Sequence, residues 1–462
     1  MKRTTLRRRA FLKAGLGGLA AGYGARLFAA TAQPDPPAPS FTWRNWSGLQ
    51  HCKAQALATP ADESEIAALL RQAGGPVRCV GSGHSFSPLV PTEGTLLALD
   101  RLSGVVSVDT GAGTATVRAG TRLNVLSRQL DPHYLGLRNL PDIDMQTLAG
   151  AVSTGTHGTG AALPALHADV LALRIVTPQG GIIECDQHRH PDVFAAARVS
   201  LGCLGVITQM TLRVVPAYNL QRRVWLKPID ELLPLAPELA ARHRNFEFYY
   251  LPFTGYAAAI TYDLYTGNDV WMPPQQDEDA LRDLRRLRDW LGRFPELRRW
   301  AAARLIDGAP PEEARNRSWR LLSTTRRTRF NESECHVPRE AGIACVKEVI
   351  RTLEKRNEVF FPVEFRYVKA DDAWLSPFYQ RDSCSIAVHA AHDEAWNYLL
   401  SDIGPVFRKY GGRPHWGKLH DFTARELAQL YPRWKDFHEV RQGFDPRGRM
   451  LNPHLRTLFG AA

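Results

Sequence analysis

The chain has 462 residues, 44% hydrophobic, 23% charged and 9% aromatic, an ordinary globular balance that excludes a disordered chain, a collagen-like repeat and a bundle of membrane helices. That length is more than one hydrophobic core serves and implies two or three domains. The net charge of +11 is unevenly spread: residues 1–32 hold seven basic side chains and no acid, and the remaining 51 basic residues face 47 acidic ones, so no nucleic-acid partner is expected.

Arg8-Arg9-Ala10-Phe11-Leu12-Lys13 has the form of a twin-arginine signal, followed by a weakly apolar Gly/Ala stretch and a small-residue cleavage site at Ala30-Thr31-Ala32. Residues 1–32 are therefore expected to address the chain to the twin-arginine export machinery and the periplasm, with membrane association left open. The stretch is too short and glycine-rich for a stable transmembrane span, and no later segment qualifies. Export of already folded protein hints at a cofactor enzyme. Pro-rich residues 33–40 read as a linker. The seven cysteines form no C-x-x-C pair and are odd in number, which suggests buried free thiols rather than a disulfide framework. No set has metal-ligand spacing, so no metal is expected; His188 and His190 read as solvated loop residues.

From Phe41 to about Val215, short strands and helices alternate closely. Thr59-Pro60-Ala61-Asp62 is expected to start a helix with Thr59 as its cap, Ile66, Leu69 and Leu70 as its buried stripe and Gly74-Gly75 as its stop. Val77–Val80 reads as a buried strand running into Gly81-Ser82-Gly83-His84-Ser85. Val105–Asp109 and Thr114–Val117 suggest a hairpin, Leu123–Leu130 a helix, and Leu171–Thr177, Ile182–Cys185 and Val206–Val215 strands. From about Pro216 to residue 404 aromatics and longer elements prevail, with strands at Phe246–Leu251, Val359–Val368 and Ser385–Ala391. One Arg-rich amphipathic helix is expected around Leu281–Arg304. The expected domains are thus 41–215, an α+β domain over 216–404, and a C-terminal segment over 405–462.

Glycines after a strand let backbone amides approach a phosphate without obstruction by Cβ. Gly81-Ser82-Gly83 suits that role, although a tight turn alone would account for it; Pro88 and Pro91 follow, so it is not the fingerprint that opens a dinucleotide-binding helix. Thr154-Gly155-Thr156-His157-Gly158-Thr159-Gly160 adds a second such loop, and together the two make a candidate pyrophosphate cradle.

Val80 through Ser87, Gly150 through Gly160 and Leu201 through Thr208 resemble the FAD domain of the vanillyl-alcohol-oxidase (PCMH) type. Glu364-Phe365-Arg366 and His415-Trp416-Gly417-Lys418 are similar to the aldonolactone and alditol oxidases, the D-arabinono-1,4-lactone oxidase family among them. The resemblance covers about residues 41–460, and its last motif is the most specific. It implies an α+β protein with a two-part FAD-binding domain, a substrate (cap) domain and a C-terminal segment that returns to the flavin. It further implies FAD held covalently through His84. A neutral imidazole is a competent nucleophile for that bond. Ser153 and Thr154 stand where a second, cysteinyl link would need a cysteine, so a single link is expected.

Val80, Gly81, Ser82, Gly83, Ser85, Phe86, Thr147, Gly150, Thr154, Gly155, His157, Gly158, Thr159, Gly160, Gly205, Ile207 and His415 match cofactor-contact positions. Lys418, Arg366, Glu364 and His389 match catalytic ones. By spacing alone Glu364 and Arg366 would pass for an ion pair on one face of a strand, and His389 for a core histidine. The implied activity is hydride removal from a CH–OH carbon of a sugar lactone, with O2 as the expected electron acceptor. A polyol substrate or another acceptor stays open: Thr147 stands where alditol oxidases carry a serine, while Gly158 through Pro164 is similar to galactonolactone dehydrogenases.

Overall fold

Asp62, rather than Thr59, caps the first helix: its carboxylate accepts the Glu65 amide at 2.9 Å, and the helix runs Glu63–Gln72 with Ile66, Ala67 and Leu70 buried. An Asp one turn later satisfies the orphan amides and takes the macrodipole, leaving Thr59 and Pro60 in the approach. This computed structural model describes residues 40–460 apart from 275, 276, 307, 309 and 325. The expected export signal and all but the last residue of the expected linker lie outside the described residues.

The helix connects the parallel strands Ala56–Ala58 and Val77–Val80, which flank Thr95–Ala98 in a three-stranded sheet. Beside it lies a five-stranded antiparallel sheet containing the expected hairpin (Val105–Asp109 and Thr114–Arg118) and the strands Val170–Val176, Ile182–Asp186 and Val206–Arg213. Helix Leu123–Leu130 buries Leu123, Leu126 and Leu130 on one stripe, as its periodicity requires.

An eight-stranded sheet begins at Asn219–Pro228. Its central strands are Asn245–Leu251, Val363–Val368, Ser383–Ala391 and Phe330–Pro338, in that spatial order, and all pairings among them are antiparallel. Val363–Val368 and Ser383–Ala391 are buried at every position, and Phe330–Pro338 at all but its last. A sheet covered on both faces does not alternate cleanly between apolar and polar residues. The strand expected from Val359 begins only at Val363, after Pro362, whose ring removes a ladder donor. The expected single Arg-rich helix is two, Asp277–Leu291 and Pro295–Ile306, separated at Gly292 and with Pro295 opening the second. Leu281 and Leu284 of the first pack against the core.

The C-terminal segment folds back on the parallel sheet. Arg78 donates to the Met450 carbonyl, and the Val77 amide to that of Arg449. All seven cysteines are free thiols. Among the described residues no helix is long and apolar enough to cross a membrane.

Candidate active site

The Val77–Val80 strand delivers Gly81 through Phe86 to a cleft that is partly open to solvent. Thr147, helix Leu148–Ser153, Gly202, Gly205 and Ile207 also line it. The amides of Ser82, Gly83, His84 and Ser85 donate to no protein acceptor among the described residues. A run of unclaimed donors against a helix start is an anion cradle. Gly81 has no room for a side chain, because a Cβ would collide with Thr147; Gly83 and Gly205 hold φ of +71° and +127°, a region that favours glycine. The residues present thus fit the pyrophosphate of a dinucleotide.

Of the sequence-predicted cofactor residues, Val80, Gly81, Ser82, Gly83, His84, Ser85, Phe86, Thr147, Gly150, Thr154, Gly205, Ile207 and His415 line this cleft. Gly155, His157, Gly158, Thr159 and Gly160 lie outside its lining and instead tie the loop to the large sheet. The Thr159 hydroxyl donates to the Phe246 carbonyl at 2.5 Å, and the Gly160 amide to the Tyr367 carbonyl at 2.7 Å. His157 is buried between the Gly158 carbonyl, 2.9 Å away, and the Glu334 carboxylate, 3.1 Å away.

His84 stacks on Trp46 with ring centroids 5.3 Å apart, and its ring has no hydrogen-bond partner among the described residues. Burial, with the Lys418 and Arg122 charges, lowers its pKa to about 4, so the imidazole is neutral at physiological pH.

His415-Trp416-Gly417-Lys418 is clamped to the same loop. The Phe86 amide donates to the Gly417 carbonyl and the Ser87 hydroxyl to that of Trp416. The buried Trp416 indole donates to the Leu375 carbonyl. Burial keeps His415 neutral, and its Nδ1 accepts the Gly417 amide at 3.0 Å, which leaves Nε2 as the ring's donor. Lys418 lines the cleft beside His84 and His415, its ammonium 5.1 Å from the Phe86 ring centre.

Behind Lys418 the strands of the large sheet bring together a cluster of buried charge. Lys418 donates to the Glu332 carboxylate and stands 3.8 Å from that of Glu334. Arg366 bridges Glu334 at 2.8 Å and Glu364 at 3.0 Å. Tyr249 donates to Glu364 at 2.5 Å, and Ser385 donates to Glu334. Burial would raise the Glu334 carboxyl, but Arg366, His157 and Lys418 overcome it and hold it well below the usual range. At Glu247, opposite Arg366 in the sheet, burial and the neighbouring Glu364 prevail and lift the pKa to about 8. His389 stands 3.7 Å from Glu332 and lines a second pocket, with Phe360, Phe361 and Tyr398. Burial brings its pKa down to about 4.

The four sequence-predicted catalytic residues thus join one network, in which only Lys418 also lines the large cleft. Sequence reasoning missed Glu332, Glu334, Glu247 and Tyr249. Asn331-Glu332-Ser333-Glu334-Cys335-His336 places Glu332, Glu334 and His336 on one strand face, the same alternation as Glu364 and Arg366, but spacing alone gives neither set a catalytic role.

Residues 210–458 match the family model for D-arabinono-1,4-lactone oxidase, and residues 54–186 that for an FAD binding domain. L-Gulono-1,4-lactone dehydrogenase from Mycobacterium tuberculosis is 34% identical over 428 residues, which span 90% of this chain and 99% of that protein. L-Gulonolactone oxidase from Bos taurus is 32% identical over 90% of this chain and 98% of its own length. For alditol oxidase from a Streptomyces species the identity is 29%, with the same two coverages. Among solved structures, cholesterol oxidase from Brevibacterium sterolicum has the same fold, with a TM-score of 0.74 at 16% identity over 92% of this chain and 100% of that one. With the cleft and the charge cluster as described, these matches establish that the chain belongs to the D-arabinono-1,4-lactone oxidase family of FAD-dependent oxidoreductases.

Proposed function

We propose that this enzyme oxidises a CH–OH group of a sugar-derived aldonolactone, with the cofactor attached through His84. The observation that carries this reading is Lys418, a cation shared by the cofactor cleft and the buried carboxylate–guanidinium cluster. Bound FAD supplies a hydride acceptor; everything else asked of the site falls to the protein. Lys418 and Arg366 are the two cations at hand to stabilise the negative charge that grows on the substrate oxygen as the C–H hydride leaves. Glu364, anchored by Arg366 and Tyr249, offers an acceptor to sugar hydroxyls. His84 supplies a neutral nitrogen nucleophile, and the absence of cysteine at 153 and 154 supports one covalent link. The electrons pass to O2 in this reading. A dehydrogenase using another acceptor is the second reading, favoured by the mycobacterial relative, and oxygen-electrode traces during turnover separate the two. The Arg8-Arg9 segment supports export by the twin-arginine route to the periplasm.

Anaerobic mixing of the purified flavoprotein with panels of aldonolactones and alditols tests the substrate class. Bleaching of the flavin by lactones is the expected result, and bleaching by alditols alone moves the substrate to open-chain polyols. If neither panel bleaches it, the proposed class is wrong.

A further inference from the structure

Oxidation of an alcohol releases two hydrogens by different routes. One leaves carbon as hydride; the other leaves oxygen as a proton and needs a base. A protonated lysine can stabilise the oxygen, but it has no lone pair with which to take that proton. The structure holds several buried carboxylates near Lys418, and they differ in what they are free to do.

Glu334 accepts from Arg366 and Ser385 on a single oxygen, which His157 Nε2 also faces, and is held ionised by its cationic neighbours. Glu364 is shared between Arg366 and Tyr249. Glu247 meets the Tyr262 hydroxyl at 3.3 Å and carries the raised pKa of about 8. Glu332 differs from all three: its only side-chain hydrogen-bond donor among the described residues is Lys418, on Oε2.

The other oxygen of Glu332 faces His389. The Nδ1 of His389 is 3.0 Å from the Pro362 carbonyl, which accepts only, so Nδ1 carries the ring's hydrogen. The ring is neutral, hence Nε2 presents a lone pair. That lone pair stands 3.7 Å from Oε1 of Glu332. Two acceptors therefore confront each other in a buried site, a costly arrangement that a proton on Glu332 would relieve. Phe330 packs edge-on against the imidazole at 5.0 Å, and the Tyr398 hydroxyl donates to the His389 main-chain carbonyl.

Resting on the substrate class proposed above, we infer that Glu332 is the terminal acceptor of the substrate's hydroxyl proton, reached through Lys418. The Nζ–H already directed at Glu332 breaks and its proton binds the carboxylate, which leaves a lone pair on Lys418 Nζ. The substrate O–H bond then breaks and its proton joins that lone pair. The C–H bond breaks with its electron pair, which leaves as hydride to bound FAD while the C=O bond forms. The alcohol is oxidised, FAD is reduced, Lys418 ends as it began, and one proton rests on Glu332, opposite the His389 lone pair. Glu332 is thus a positioning and proton-storing residue that acts through Lys418.

Groups facing Glu332 from each neighbouring element are Lys418 from the C-terminal loop, Glu334 on its own strand, His389 from the adjacent strand, and Glu364 and Arg366 from the strand beyond. Burial, with Glu334 adding to it, outweighs Lys418 and raises the affinity of Glu332 for a proton. The proton-accepting form is the ionised one, so reduction should slow on the acid side as Glu332 becomes protonated.

The test uses holoenzyme, anaerobic reduction by a lactone or alditol that bleaches wild type, and infrared difference spectroscopy of the same step. Wild type should gain a protonated-carboxyl C=O band on reduction. Glu332→Gln should lack that band, lose the acid limb of the pH profile, and reduce flavin about 10²-fold or more slowly at saturating substrate. Glu332→Asp should restore part of the rate together with the limb, which a purely structural role would not predict; it also serves if the glutamine variant fails to retain flavin. A wild type that is reduced without gaining the band, or a glutamine variant that keeps both band and limb, overturns the inference while leaving the substrate class intact. If no panel member reduces wild type, the proposed function and this inference fall together.

Discussion

At His84, burial and two nearby cations act in one direction, against the imidazolium. A histidine so placed is a poor general base at low pH and a standing nucleophile at neutral pH, which is what a carbon–nitrogen bond to a flavin requires. His84→Ala should therefore release all yellow chromophore to the supernatant on acid precipitation, whereas wild type keeps it in the pellet; a colourless wild-type pellet would contradict the covalent link. The positions of His84 and Lys418 at the cleft were legible in the sequence because each sits in a distinctive local motif, whereas the Glu364/Arg366 pair stood out only through the family resemblance. Glu332 and Glu334 were not legible, because their meaning depends on partners contributed from elsewhere in the chain: Lys418, Arg366, His157 and Ser385. A carboxylate's role is set by its counter-charges, and those are tertiary.

Strand Asn245–Leu251 illustrates the same limit for elements. Its apolar run announced a strand, but only the register, with Glu247 opposite Arg366 and Tyr249 opposite Glu364, reveals that it closes the back of the charge cluster. Burial and Glu364 raise Glu247 from an ordinary 4.5 to about 8. The folded state thus binds a proton that the unfolded chain has released, and the stabilisation this gives is full below about 4.5 and lost as pH rises through about 8. Glu247→Gln, which mimics the protonated form, should flatten the fall of Tm across that window and leave the protein more stable than wild type on its alkaline side. Parallel Tm-versus-pH curves for the two proteins would contradict the assignment. Helix ends were the least legible features. Thr59 and Asp62 are both sound caps by type, and the one that meets the Glu65 amide wins. In the Arg-rich stretch the amphipathic pattern of Asp277–Leu291 does not continue into Pro295–Ile306, and Gly292 and Pro295 mark the break that the single expected helix overran.

For the whole molecule, most of the architecture was legible, including the strand-rich first part and the C-terminal return, because glycine loops and the His-Trp-Gly-Lys motif mark the surfaces that meet. The second glycine cluster was only half legible. Gly150 and Thr154 line the cleft, while His157 through Gly160 bind the loop to the large sheet, and glycine and hydroxyl content alone does not separate those tasks. The proposed export route makes a prediction at this scale: replacing Arg8 and Arg9 with lysines should leave flavoprotein in the cytoplasm, and unchanged periplasmic recovery would refute it. In the proposed mechanism turnover depends on the junction that the return creates, where Lys418 meets both cleft and cluster. Lys418→Met keeps bulk and removes charge, and losing one such electrostatic donor typically costs about 10²–10³ in rate. The most direct measurement is the rate of anaerobic flavin reduction at saturating substrate, which bypasses the identity of the electron acceptor. The account predicts a fall of that size in the limiting rate of Lys418→Met; an unchanged limiting rate with only weakened apparent affinity would mean that the cation contributes uniform binding, contradicting its role in the transition state.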